Sequence, residues 1–167
     1  YPGQRVQFDV KVVPKICIVG QEEPTQWYQY TFIDEYTRFR YLEAFPERST
    51  YSSALFIQHC VQRFPYAIEF TIRLVGTKNP KPTLFEKTLE QLNIRHELIK
   101  LYTPRHNRKV KRSHRKDNDE FYATHRFFSF EDFKRQLAVR ERTYNHFPIR
   151  PLNRKSPDYF LNAFPYV

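Results

Sequence analysis

Glycine is scarce in this chain, with three residues in 167, and methionine is absent. So few glycines leave little room for a phosphate-cradling loop, and neither a GxGxxG nor a Walker-type pattern occurs. The only cysteines, Cys17 and Cys60, show no CxxC spacing. That argues against a zinc site and fits two free thiols in a reducing compartment. No apolar run approaches ~18 residues, so no membrane span is expected. No charged-then-apolar leader opens the chain at Tyr1, and a domain excised from a longer protein is the simplest expectation.

Aromatic residues are plentiful. They make up 17% of the chain, 16 of them Phe and 12 Tyr, and supply bulk for the core of a single domain. Lys and Arg total 28 against 18 Asp and Glu, a formal net charge of +10. An excess of this size points to a polyanionic partner, most simply nucleic acid. The basic residues concentrate in one place: Arg105, Arg108, Lys109, Lys111, Arg112, Arg115 and Lys116 fall within twelve positions. At a helix N-terminus such a cluster suits phosphate docking. His106 and His114 in the same stretch are read either as phosphate or base contacts or as solvated polar residues.

Hydrophobic periodicity orders the elements. Arg5–Val13 alternates and is rich in β-branched residues, so it is predicted to be a strand. Trp27–Ile33 and Arg38–Phe45 follow as strands, joined by a turn in which Asp34 bonds backbone amides. Ser49 or Thr50 caps a helix to about Arg63, with Ala54, Leu55, Ile57 and Val61 as its apolar stripe. Tyr66–Val75 is the fourth strand. A helix from Thr83 to Leu92 carries Leu84, Phe85, Thr88 and Leu92 on one side, and Ile94–Leu101 is the fifth strand. A basic loop at 103–109 leads into a helix to about Tyr122, and Ser129–Asp132 opens a last long helix to about Tyr144. The order β-β-β-α-β-α-β-α-α fits an α/β ribonuclease H-like fold, a five-stranded mixed sheet flanked by helices. Residues 1–144 form this core, and the proline-rich segment 145–167 packs on it or extends from it.

Several segments then resemble one family in the right order. Tyr102-Thr-Pro104 followed by Asn107, Arg108 and Lys111 is similar to the Pro-x-x-x-Gly-x-x-Glu motif of DDE transposases and retroviral-type integrases. Pro2–Asp9, Phe32–Arg38, Ile94–Ile99, Tyr144-Asn145, Arg150-Pro151 and Ser156-Pro157 resemble further segments of the integrase core domain of insertion-sequence transposases. The family's chemistry is metal-dependent DNA strand transfer, with three carboxylates holding two magnesium or manganese ions. The resemblance makes Asp9 the first carboxylate. It puts Lys111 at the third, and at the second either Leu74 or, in a gapped alignment, a deletion.

The resemblance therefore implies a degenerate triad: a pseudoenzyme of the DNA integration and recombination class, with no metal or cofactor expected. Lys111 is a candidate counter-ion for Asp9, as against plain surface charge. Arg105, Asn107, Arg108, Lys109, Arg112, Arg115 and Lys116 are the expected DNA-binding residues. DNA is the expected partner, a homodimer is allowed, and a bacterial cytoplasmic, nucleoid-associated setting is implied. Two alternatives stay open: an active transposase or nuclease using other acids, and a protein-interaction scaffold with no DNA role.

Overall fold

The computed structural model describes residues 1–23, 25–74, 81–99 and 107–164, with only the backbone of Arg73, Leu74, Leu98 and Ile99. The alternating N-terminal residues form β1 (Arg5–Val12), which pairs antiparallel with β2 (Tyr28–Asp34). β2 pairs antiparallel with β3 (Arg40–Phe45). After α1 (Thr50–Arg63), β4 (Phe70–Leu74) lies parallel to β1. After α2 (Leu84–Gln91), β5 (Arg95–Ile99) lies parallel to β4. The strand order is β3-β2-β1-β4-β5, the expected five-stranded mixed sheet of the ribonuclease H-like fold.

Each sheet face carries its own aromatic cluster. On one, Val6, Phe8, Tyr30 and Phe32 pack against Phe56, Ile57, Cys60 and Phe64 of the α1 side and Phe85 and Leu89 of α2. Phe8 stacks on Phe85 with ring centroids 5.4 Å apart. On the other, Trp27 stacks on Phe133 at 5.8 Å within a cluster that includes Phe121, Tyr122, Phe127 and Leu137. Burying each such ring contributes roughly 1.5–3 kcal/mol.

The β2–β3 turn is built on Asp34, as expected. Its Oδ2 accepts from the backbone and the hydroxyl of Thr37, both at 2.7 Å, and its Oδ1 accepts from the Gly3 backbone at 3.0 Å. One carboxylate thus ties the turn to the entry of β1. Gly3 has φ +81°, and a Cβ there would lie 2.0 Å from the Ala67 carbonyl oxygen. Left-handed backbone and close approach both require glycine at this point.

Several expectations are corrected. α1 buries Phe56 and Cys60 along with Ala54 and Ile57, while Val61 is 38% exposed. The large ring takes the place against the sheet. Leu84 is exposed and Leu89 buried, because a side chain on the first helical residue leans back toward the N-terminus, off the core. β4 begins at Phe70 rather than Tyr66, whose hydroxyl lies within hydrogen-bond reach of the Leu161 and Phe164 carbonyls.

The basic helix is α3 (Arg108–Asp117), and it continues into a π-helical turn, Asn118–Tyr122. α4 runs from Phe130 to His146, with Ser129 Oγ accepting from the Asp132 backbone at 3.0 Å. A short 3-10 turn (Arg150–Leu152) and α5 (Pro157–Ala163) follow. Along the outer edge of β3, Glu141 accepts from the Leu42 backbone at 2.6 Å. Asn145 accepts from Arg40 N at 2.9 Å and donates to Arg40 O at 2.7 Å. These α4 side chains make bonds that a further strand would make. Among the described residues no helix is long and apolar enough to cross a membrane.

Candidate functional site

Strand alternation turns Phe8 to one face of the sheet and Gln7, Asp9 and Lys11 to the other, beneath α3. Gln7 Oε1 accepts from the Val110 backbone at 2.9 Å, satisfying an amide in the first turn of the helix. One turn further on, His114 Nδ1 lies 3.8 Å from Asp9 Oδ2. Lys11 Nζ sits 5.4 Å from the centroid of the Tyr122 ring, and burial lowers its pKa.

Asp9 pairs with Thr31 across the β1–β2 ladder. Thr31 Oγ1 lies 2.9 Å from His114 Nε2 and accepts from Gln29 Nε2 at 3.0 Å. One imidazole nitrogen thus meets the Thr31 hydroxyl and the other faces the Asp9 carboxylate. The His114 side chain is only 12% exposed. Burial, reinforced by the Arg40 charge, pushes its pKa down to about 3. The imidazole is therefore neutral at physiological pH.

The polar network continues inward. Gln29 donates to Asp117 Oδ2 at 2.9 Å and accepts from the Tyr122 hydroxyl at 2.6 Å. The fully buried Asp117 carboxylate is gripped by both terminal nitrogens of Arg40, at 3.2 and 2.5 Å, and by Arg140 Nε at 3.0 Å. Burial alone would raise the Asp117 carboxyl; the Arg40 charge and its hydrogen bonds outweigh this and hold it at about 2. The π-helical turn lets Asp117 and Tyr122, five residues apart, both address Gln29.

The sequence-derived residues are distributed unevenly over this geometry. Arg105 and His106, with Pro104, lie outside the described residues. Asn107 is fully buried at the N-cap of α3, and neither of its side-chain amide atoms has a hydrogen-bond partner among the described residues. Lys109 Nζ donates to Glu35 Oε2 at 2.8 Å, and Lys116 lies 3.6 Å from Glu120. Arg108, Lys111, Arg112 and Arg115 are exposed. Spacings of four and three place Arg108, Arg112 and Arg115 in one outward stripe, with Lys111 on the edge toward His114.

Of the two readings of Lys111, counter-ion of Asp9 or surface charge, its exposure fits the second; His114, about one helical turn further on, lies beside the Asp9 carboxylate. Leu74 ends β4. The β1–β4 register ends with Phe8 paired to Arg73, one residue before Asp9 and Leu74. Among the described residues no three His, Cys, Asp or Glu side chains gather closely enough to hold a metal ion. Sequence reasoning missed Arg40, Gln29 and Thr31. Their inward period-2 placement on β2 and β3 was the available signal.

Comparison with known proteins places this geometry. No curated protein matches the sequence. Residues 92–157 match the family described as "Integrase core domain". The catalytic core domain of BIV integrase superposes with a TM-score of 0.63 at 17% identity, covering 95% of this chain and 93% of that one. A chain of the simian T-cell lymphotropic virus intasome, solved in complex with PP2A regulatory subunit B56 gamma, gives a TM-score of 0.72 at 14% identity. That match covers 99% of this chain and 56% of the intasome chain, so this chain spans little more than half of its length. The protein thus has the fold of retroviral integrase catalytic cores, and its residues 92–157 carry the sequence pattern of the integrase core domain.

Proposed function

We propose that this integrase-core-like domain binds DNA backbone through α3 and does not carry out metal-dependent strand transfer. The observation that carries the reading is the environment of Asp9. Two magnesium ions need a cluster of anionic oxygens to replace part of their water shells. Asp9 is accompanied by the neutral His114 and bordered by a cationic helix. Among the described residues, this donor set does not suit a pair of magnesium ions. The outward stripe of Arg108, Arg112 and Arg115 suits phosphates, which attract cations without regard to sequence.

Duplex binding measured over a range of salt concentrations tests the DNA half of this reading. Binding should weaken steeply with salt. Changing Arg108, Arg112 and Arg115 together to Ala should lower both the affinity and the salt slope, by about 0.9 for each phosphate that is no longer neutralised. Magnesium titration by calorimetry tests the other half, with no binding heat expected. Cleavage or strand joining of a duplex in manganese, abolished by Asp9→Asn, would refute the proposal.

A further inference from the structure

Beyond α3, the densest exposed basic feature among the described residues is the turn after α4. Arg150, Arg154 and Lys155 are all exposed, and no ion pair engages them among the described residues. Within residues 145–164 Asp158 is the only acid, and it faces His146 at 3.8 Å. The turn is closed tightly. Ile149 N donates to Lys155 O at 3.0 Å, Arg154 N to Ile149 O at 3.1 Å, and Lys155 N to Leu152 O at 3.0 Å. Buried Leu152 anchors it from below.

The backbone here is held against its preference. Asn153 and Arg154 are consecutive left-handed residues, with φ of 53° and 59°. Glycine would adopt this conformation freely, yet the chain places an arginine there and exposes it. Lys155 Nζ is also fixed, donating to the Tyr159 hydroxyl at 2.6 Å and lying 4.0 Å from that ring's centroid. Cations on a rigid frame lose little conformational freedom when they meet a partner.

The turn follows α4, whose Asn145 bonds both backbone groups of Arg40 at the start of β3, the strand that leaves the β2–β3 turn. The β2–β3 turn contacts Lys109 through Glu35 and contacts Phe164, just past α5, through Tyr36, whose ring lies 5.2 Å from that of Phe164. We infer that the Arg150–Lys155 turn is a second phosphate-docking element that engages the same DNA duplex as α3. This rests on DNA being the partner of α3, and it extends the interface to a segment outside the basic cluster.

The test is duplex binding at several salt concentrations, run in parallel on the unaltered chain, on R150Q/R154G, and on the α3 triple Ala variant. Glycine suits the left-handed position, so R150Q/R154G should melt at or above the original temperature. It should bind DNA several-fold more weakly, with a salt slope lower by about 1 to 2. R150Q/R154N is the second variant, because Asn also tolerates this backbone. If both turn variants keep the original affinity and slope while the α3 variant loses them, this inference fails and the α3 reading stands. If the unaltered chain does not bind DNA, both fail. Turn variants that keep DNA but lose binding to poly-glutamate would assign the turn to an acidic protein and overturn the inference.

Discussion

Asp9 and His114 face each other at 3.8 Å across the β1–α3 junction, with the far nitrogen of the imidazole held by Thr31. The His114 pKa lies at about 3 when folded, against 6.5 for a free side chain. The unfolded chain therefore takes up a proton that the folded chain refuses. The contribution of this site to stability is complete above about pH 6.5 and declines as pH falls from there toward 3. The loss is at most about 1.4 kcal/mol per pH unit. Urea unfolding at pH 7 and pH 5 should show the decline, and His114→Gln should reduce it. An equal decline in the variant would assign the pH dependence to other groups.

Asp117 has the opposite relation to acid. Its carboxyl is held at about 2 against 3.8, so its contribution of about 2 kcal/mol is present above pH 3.8 and is lost as pH falls through 2. Asp117→Asn leaves the buried Arg40 guanidinium facing a neutral amide. The variant should lose about 3–5 kcal/mol of stability, read from denaturant midpoints. A loss below about 1 kcal/mol would mean that Arg140 and Glu120 rearrange to compensate.

Gly3 offers a backbone test. Alanine there would meet the Ala67 carbonyl oxygen at 2.0 Å in a left-handed conformation. Gly3→Ala should cost roughly 2–4 kcal/mol and disturb the Gly3–Asp34 bond that positions β1. Amide exchange at Gly3 and Thr37 should accelerate together. Unchanged melting would show that the N-terminus shifts freely.

The proposed loss of two carboxylates can be tested by repair. If the ungapped alignment holds, Leu74→Asp combined with Lys111→Glu should assemble enough negative charge to bind manganese. Either change alone should not suffice. Calorimetry on the folded double variant decides the matter. No binding heat would favour a lost element at the second acid position over a replaced one.

Local rules made much of the fold legible. Strand alternation located β1, β2 and β3 to within two residues at each end, and Ser49, Thr83 and Ser129 mark helix starts through hydroxyls that accept backbone bonds. Asp34 was readable because its bonds to Thr37 are local. The Arg40–Asp117 pair spans 77 positions, and no periodicity couples residues so distant. His114 belongs to a run of exposed cations, and only packing against Thr31 and Asp9 distinguishes it from them. The π-helical turn depends on Tyr122 reaching Gln29, a tertiary requirement without a local signature.

The hydrogen bonds that Glu141 and Asn145 accept from the Leu42 and Arg40 backbone span 99 and 105 positions. During synthesis the three N-terminal strands emerge long before the helix that shields their outer rim. Until α4 leaves the ribosome, the outer rim of β3 lacks the Glu141 and Asn145 partners of its backbone groups. A nascent chain stalled before Phe130 would leave that rim open, the kind of strand edge on which other chains can pair.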